Sequence, residues 1–209
     1  MSDLEDYLNK LIRKKNIFRE QSFENLKQVL VNLKIKKPNK LISITGTNGK
    51  GSTAEILSRV LAKNKYEVGL LTSPHLVKFN ERIRINNKNI DDSEMLNCLE
   101  EVDKLKDSKE LNFYQIIAAA AFLFFSKKKL DVWILEVGLG GRLDPANYFD
   151  ADISVITKIA LDHENILGKG VENIGREKAG IFRTNQIVIF GEGSIPNSVS
   201  KIVEKLNVD

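Results

Sequence analysis

Two near-continuous apolar segments, residues 132–136 and 153–157, restrict the fold of this chain more than any other feature. Strands that are apolar on both sides are typical of a parallel sheet that helices cover on both faces. Three further short strands are predicted at residues 41–45, 68–71 and 187–190. Because amphipathic helical segments separate these strands, we predict an α/β fold with a doubly wound, mostly parallel sheet.

The covering helices are predicted from apolar residues that recur at a spacing of about 3.6. They are expected around residues 4–12, 23–33, 52–63, 93–105, 113–127, 171–182 and 199–206. Ser93 is the expected N-cap of its helix. Residues 79–86 alternate between apolar and polar, which predicts a strand or hairpin arm that turns at Asn86-Asn87.

Composition narrows the class of protein and its compartment. Cys98 is the only cysteine, so no internal disulfide can form, and we expect it to be a small packing residue. The longest apolar run, residues 116–125, is half of the roughly 20 residues that a membrane span requires. The N-terminal residues are polar and acidic, unlike a signal peptide. We therefore expect a cytoplasmic globular protein with no membrane partner.

The net charge of +4 arises in the first 40 residues, which hold ten Lys or Arg against five Asp or Glu. Either a solvated helical face or an anion-facing patch explains this excess. A nucleic-acid-binding protein more often spreads basic residues along a face with exposed aromatic rings, so we expect no nucleic-acid partner. Pro38 and Asn39 interrupt the helical pattern. We therefore predict an N-terminal helical arm over residues 1–40 and one domain over 41–209.

Polar residues and glycines collect at the carboxyl ends of four predicted strands. They occupy residues 46–53, 72–75, 136–144 and 162–163. Ligands of doubly wound sheets bind at that edge. The repeated coincidence at one edge is the main indication of function in the sequence.

The segment after the first strand, GTNGKGST, is typical of a phosphate-binding loop between a strand and a helix. Glycines allow backbone N–H groups to converge on phosphate oxygens, and Lys50 would reach the terminal phosphates. The strict G-x-x-x-x-G-K-[ST] pattern fails, because Ile44 stands at the first glycine and Gly51 follows the lysine. A glycine turn that only caps a helix is the alternative. The predicted nucleotide-binding residues are Gly46, Thr47, Asn48, Gly49, Lys50, Gly51, Ser52 and Thr53.

Glu136 ends an apolar strand, where a carboxylate is costly unless it binds something. Mg²⁺ that bridges nucleotide phosphates is one candidate partner, and a salt bridge to Arg142 is the other. The following glycines do not form a dinucleotide-binding G-x-G-x-x-G motif, because Leu143 stands at the last position.

The chain contains two histidines, His75 and His163, and each could be a plain hydrogen-bonding residue. His163 follows Asp162 at the predicted active edge, which favours a metal or phosphate role. Lys178 is by pattern only a surface lysine of a helix.

Five segments in order carry a resemblance to a known family: GTNGKGST, TSPHLVKFNERIRIN, LEVGLGGRLD, LDH with ILG, and REKAGI. Together they resemble the folylpolyglutamate synthase/dihydrofolate synthase group of the Mur-ligase-like family. The resemblance implies an ATP-dependent ligase that adds L-glutamate to dihydropteroate or a reduced folate through an acyl phosphate. It implies a Mur-ligase-like central ATPase domain and a monomer whose partners are these small molecules.

The resemblance also implies roles for individual residues. Ser73 and Glu136 would bind one Mg²⁺, together with the Ser52 hydroxyl that the loop pattern itself offers, and His163 a second. Lys178 would carry a carbamate that supports the second metal, which replaces the surface interpretation. Lys50, Lys178 and His163 would be the catalytic residues. The segments expected to contact the pterin substrate are Asn112, Phe113, Tyr114, Gln115, Leu143, Asp144 and Pro145.

Members of this family continue beyond the matched region into a further domain, so we expect the ATPase domain to be incomplete and the C-terminal ligase domain to be absent. Two alternatives remain open. One is a generic phosphate-loop phosphotransferase, although Thr157-Lys158 is not followed by the acid of a guanine-binding motif. The other is a nucleotide- or pterin-binding module without turnover.

Overall fold

The computed structural model describes residues 3–12 and 20–208. The strands are β1 (Lys40–Thr45), β2 (Val68–Leu71), β3 (Ile83–Ile85), β4 (Lys88–Asn89), β5 (Val132–Glu136), β6 (Ile153–Lys158) and β7 (Ile187–Glu192). The helices are α1 (Asp3–Ile12), α2 (Glu20–Asn32), α3 (Lys50–Lys63), α4 (Asp92–Asp103), α5 (Phe113–Ser126), α6 (Glu164–Leu167), α7 (Val171–Ala179) and α8 (Asn197–Leu206).

The strands form one seven-stranded sheet in the order β4-β3-β2-β5-β1-β6-β7. Five neighbouring strands are parallel, in the order β2, β5, β1, β6 and β7. The β3–β4 hairpin adds two antiparallel strands beside β2, at one edge of the sheet. The α/β fold with a mostly parallel sheet is therefore confirmed. Since β2, β5, β1 and β6 are neighbours, the carboxyl ends of all four meet at the same edge, as the sequence predicted.

Both faces of the central strands are buried, which explains their continuous apolar character. On β5, Trp133 and Leu135 join the core cluster under α5, whereas Val132 and Ile134 join the cluster under α3. Alternation with a period of two places successive side chains on opposite faces. Trp133 is fully buried and stacks on Phe122 of α5 with ring centroids 6.0 Å apart.

The N-terminal helices are present as predicted. Apolar residues of α1 and α2 are buried in the same cluster as those of α4 and α5. The boundary at residue 40 stays a prediction. Cys98 is buried within that cluster, as expected for a packing residue. Within the described ranges, no helix is both long enough and apolar enough to cross a bilayer.

Several local predictions were wrong, each for a physical reason. Residues 79–82 form a 3₁₀ helix, and only Ile83–Ile85 is a strand, although the hairpin does turn at Asn86-Asn87 with φ of 50° and 65°. The N-cap of α4 is Asp91, which accepts a 2.8 Å bond from the amide of Glu94. Ser93 instead donates its hydroxyl to Asp91.

Two helix boundaries also differ from the sequence prediction. Helix α3 begins two residues early, at Lys50, so the lysine lies in its first turn. Helix α7 ends at Ala179, three residues early. The carbonyl of Glu177 accepts the amide of Arg142 at 2.9 Å, which takes it out of the helical hydrogen-bond ladder.

Candidate active site

The phosphate-binding loop is fixed against the end of β6 by close backbone contacts. Gly46 has φ of 151°, and a Cβ atom there would lie 1.9 Å from Thr157 Oγ1. That hydroxyl donates to the carbonyl of Asn48 at 2.6 Å. Gly49 has φ of 84° and directly precedes α3. The glycines are therefore required for the shape of this loop. This role is more than that of a glycine turn that only caps a helix, the alternative interpretation of the sequence.

Lys50 folds back over the loop. Its ammonium donates to the carbonyl of Gly46 at 2.8 Å and to that of Thr47 at 3.3 Å. The first amides of α3 also point out of this end of the helix, where the helix dipole favours an anion. A cation and several N–H donors thus meet at one point, which suits a phosphate group.

A cleft of ≈ 640 Å³ opens between the start of α3, the segment that follows β2, and β3. Oxygen-bearing side chains of three different segments line it, namely Ser52, Ser73 and Glu136. Gly51 lies directly above the carboxylate, since a Cβ atom there would be 3.4 Å from Glu136 Oε1. The structure therefore brings the phosphate-binding loop and the predicted magnesium ligands to one place.

Glu136 is 3% exposed, and burial raises the pKa of its carboxyl group. Its Oε2 accepts the amide of Ser73 at 2.9 Å. Lys50, Arg82 and Arg84 act on it as positive charges, whereas Arg142 pairs with Glu177 at 3.0 Å. These contacts favour the interpretation of Glu136 as a ligand over that of an ion pair with Arg142.

The donor set fits a magnesium ion held mainly by its nucleotide. Within the described ranges, no group of three or more His, Cys, Asp or Glu side chains could hold a metal. Mg²⁺ in nucleotide sites is commonly held by one or two carboxylates together with phosphate oxygens and water. Glu136 with the hydroxyls of Ser52 and Ser73 matches that requirement.

Lys178 is buried, so its interpretation as a surface lysine is wrong. It is 3% exposed, and burial together with the nearby charge of Lys50 lowers its pKa to about 8, against the opposing effect of Asp162. The loop after β5 packs tightly against it, since a Cβ atom on Gly141 would lie 2.9 Å from the Lys178 carbonyl. A pKa near 8 leaves roughly a tenth to a fifth of this amine neutral at physiological pH, far more than for an exposed lysine.

The two histidines differ in their surroundings. His163 has φ of 47°, its side chain is 54% exposed, and its Nε2 lies 3.5 Å from Asp162 Oδ1. It is not among the residues that line the cleft, so a role as ligand of a second metal stays a prediction. His75 accepts a 3.0 Å bond from Arg82 Nε, in agreement with the plain hydrogen-bonding interpretation.

The first predicted substrate segment has a structural role at both ends. Asn112 and Gln115 form a capping box at the start of α5. Gln115 also accepts the hydroxyl of Ser22 at 2.7 Å and donates to the Ser22 carbonyl at 3.0 Å, which connects α2 to α5. Tyr114 donates to the carbonyl of Glu136 at 3.1 Å, whereas Phe113 packs edge-on against Phe79.

The second predicted substrate segment surrounds a buried carboxylate. Asp144 accepts the amides of Gly138, Leu139 and Ala146 at 2.9 to 3.1 Å. Burial raises its pKa to about 7, although the three donors oppose that rise. Pro145 is buried and Leu143 half-buried. In the structure these residues shape the loop beside Glu136, and their contact with a substrate stays a prediction.

Sequence reasoning missed four charged residues of the cleft, Glu55, Arg59, Glu81 and Arg84. Arg84 pairs with Glu55 at 2.5 Å. Glu81 and Arg84 belong to the NERIRIN segment, in which Arg82 and Arg84 alternate with isoleucines along a predicted strand. That pattern at the sheet edge was the available signal, but it does not say which charges face the cleft.

Comparison with known proteins agrees with this geometry. The family model of the Mur ligase middle domain matches residues 44–205. A dihydrofolate synthase/folylpolyglutamate synthase of Buchnera aphidicola subsp. Schizaphis graminum is 42% identical over 201 residues, which cover 95% of this chain and 47% of that protein.

Two solved structures show the same fold. Escherichia coli FolC in complex with DHPP and ADP superposes with a TM-score of 0.91 at 36% identity, over 98% of this chain and 50% of that one. A bifunctional folylpolyglutamate synthase/dihydrofolate synthase with Mn, AMPPNP and L-glutamate bound gives a TM-score of 0.89 at 36% identity, over 100% and 51%. The chain thus spans about half the length of the relatives it matches. With its mostly parallel sheet and a family match over residues 44–205, the chain belongs to the Mur ligase middle-domain family.

Proposed function

We propose that this chain provides the ATP-binding part of a ligase that joins L-glutamate to dihydropteroate or a reduced folate. One observation carries the proposal: the phosphate-binding loop and the buried carboxylate of Glu136 line the same cleft at the carboxyl edge of the sheet. The relatives named for this activity, and the ligands named with their solved structures, support the choice of substrates.

The reaction class follows from what these residues do. Transfer of a phosphoryl group depends mainly on positioning and on neutralising charge. The loop amides and Lys50 would hold the ATP phosphates, and a bound Mg²⁺ would supply the remaining positive charge. Ser52, Ser73 and Glu136 would hold that ion. The substrate carboxylate would take the γ-phosphoryl group as an acyl phosphate, and the glutamate amine would then displace phosphate.

Lys178 would act as a carbamate in the same site. A lysine reacts with carbon dioxide only as the neutral amine, and its pKa of about 8 makes that form available. The carbamate would replace a positive charge by an anionic oxygen ligand, which suits a second cation held with His163. This assignment rests on the resemblance of REKAGI to the family segment and on the burial of Lys178.

Release of phosphate from ATP tests the proposal. We expect release that requires both L-glutamate and a pteroate, with the amide product detected by mass spectrometry. Hydrolysis indifferent to both acceptors would instead identify a generic phosphotransferase. Nucleotide binding with no ligation would instead identify a binding module.

Chemical rescue tests the carbamate separately. Lys178→Ala should lose ligation activity, and short-chain carboxylic acids such as acetate should restore part of it by occupying the vacated position. Full activity of the variant without added acid would contradict the assignment.

A further inference from the structure

The loop of residues 73–78, which carries Ser73, has little side-chain packing over its second half, residues 76–78. It leaves the end of β2 and reaches the 3₁₀ helix that begins at Phe79. Its apolar side chains face solvent, since Leu76 is 92% exposed and Val77 is 82% exposed. His75 accepts a bond from Arg82 and packs against the Phe79 ring, whereas residues 76–78 have no buried side chain and keep one shape through bonds to their backbone.

The carboxylate of Glu81 supplies those bonds. Its Oε2 accepts the amide of Leu76 at 2.7 Å, and its Oε1 accepts the amides of Val77 at 3.0 Å and Lys78 at 2.7 Å. The Glu81 amide donates in return to the Lys78 carbonyl at 3.0 Å. Donation from these amides lowers the pKa of Glu81. One side chain therefore satisfies three consecutive donors of this loop.

The other end of the loop is attached beside Glu136. The amide of Thr72 donates to the Arg82 carbonyl at 2.9 Å, and the next amide, of Ser73, donates to Glu136 Oε2 at 2.9 Å. Glu81 and Glu136 line the same cleft, but both oxygens of Glu81 accept backbone amides. The charge of Glu81 is thus directed at the loop.

We propose that Glu81 is a positioning residue, which fixes the loop of residues 73–78 and thereby holds the Ser73 hydroxyl in place for a divalent cation at Glu136. The inference rests on the proposed function, because it requires Ser73 and Glu136 to bind that cation. Outer partners that orient a metal ligand commonly contribute 10–100-fold to metal affinity.

Binding of Mn²⁺ to the 209-residue chain in the presence of ADP tests this inference by electron paramagnetic resonance. We expect Glu81→Ala to weaken Mn²⁺ binding about tenfold. Glu81→Gln, which keeps one acceptor oxygen, should lie between this variant and the parent chain. Amide hydrogen exchange at residues 76–78 should accelerate in both variants.

A background without the Ser73 hydroxyl separates positioning from a general loss of structure. In Ser73→Ala, the further change Glu81→Ala should cost little additional Mn²⁺ affinity, because Glu81 acts on the cation only through the position of the Ser73 hydroxyl. The control Glu101→Ala removes an exposed carboxylate of α4 that pairs with Lys127 and does not line the cleft. It should leave Mn²⁺ binding unchanged.

The outcomes separate the inference from the function on which it rests. Parent-like Mn²⁺ affinity in Glu81→Ala, or an equal loss with and without the Ser73 hydroxyl, would overturn the positioning role alone. Should Glu81→Ala fail to fold, Glu81→Gln is judged by the same two criteria. A parent chain that binds ADP but no Mn²⁺ would overturn the proposed metal site, and the inference with it.

Discussion

Replacing Lys178 by methionine tests the state of the buried amine. Methionine keeps most of the side-chain volume of lysine and removes its charge. Since burial lowers the pKa of Lys178 from 10.5 to about 8, folding disfavours the charged form. The parent chain should therefore gain stability relative to Lys178→Met as the pH rises.

The size of the effect follows from the pKa values of the folded and unfolded chains. Each pKa unit corresponds to about 1.4 kcal/mol, so the charged amine costs about 3 kcal/mol of folding free energy below pH 8. Because the unfolded chain binds more protons between pH 8 and 10.5, stability rises with pH in that window. From about pH 7.5 to about pH 9.5, the regained free energy is about 2 kcal/mol.

Urea denaturation of both chains at these two pH values measures the effect. The buffers should contain EDTA and no carbon dioxide, so that neither a cation nor a carbamate contributes. We expect the unfolding free energy of the parent, minus that of Lys178→Met, to rise by about 2 kcal/mol. The exposed residue Lys201 on α8 provides a matched control, Lys201→Met. A pH-independent difference for Lys178→Met would refute the reasoning.

Three further substitutions test the packing around the site by urea denaturation. Gly46→Ala places a Cβ atom 1.9 Å from Thr157 Oγ1, so we expect a loss of about 2 kcal/mol of stability and weaker ADP binding. Gln115→Leu leaves the buried groups of Ser22 without their partner and should cost about 2–4 kcal/mol. Gly141→Ala approaches two α7 carbonyls within 3 Å and should cost about 1–3 kcal/mol. If any of these variants is as stable as the parent chain, the contact from which its loss of stability was derived does not stabilise the fold.

The sheet could be predicted because the apolar pattern that identifies each central strand lies within the strand's own residues. Strands buried on both faces must be apolar throughout, and this signal located β5 and β6 within one residue of their observed bounds. The polar segments at their carboxyl ends then indicated the edge where the phosphate-binding loop and Glu136 meet.

The remaining features depend on contacts between distant segments. Residues 79–82 alternate like a strand, but Glu81 bonds the preceding loop and Arg82 bonds His75, so the chain coils into a 3₁₀ helix. Lys178 looks like a surface lysine, because nothing in its own helix shows that Gly141 packs against it. Only the family resemblance predicts a role for Lys178 in the site.

The proposed function depends most directly on nucleotide binding by the loop of residues 46–53 through Lys50. Isothermal titration calorimetry of the chain with ADP, with and without Mg²⁺, measures this. A charge-assisted bond of about 1.5–3 kcal/mol predicts that Lys50→Ala binds ADP at least tenfold more weakly. The control Lys63→Ala, at the far end of α3, should bind like the parent. Magnesium-dependent ADP binding that is lost in Lys50→Ala alone is the predicted result, and equal affinity in both variants would contradict the account.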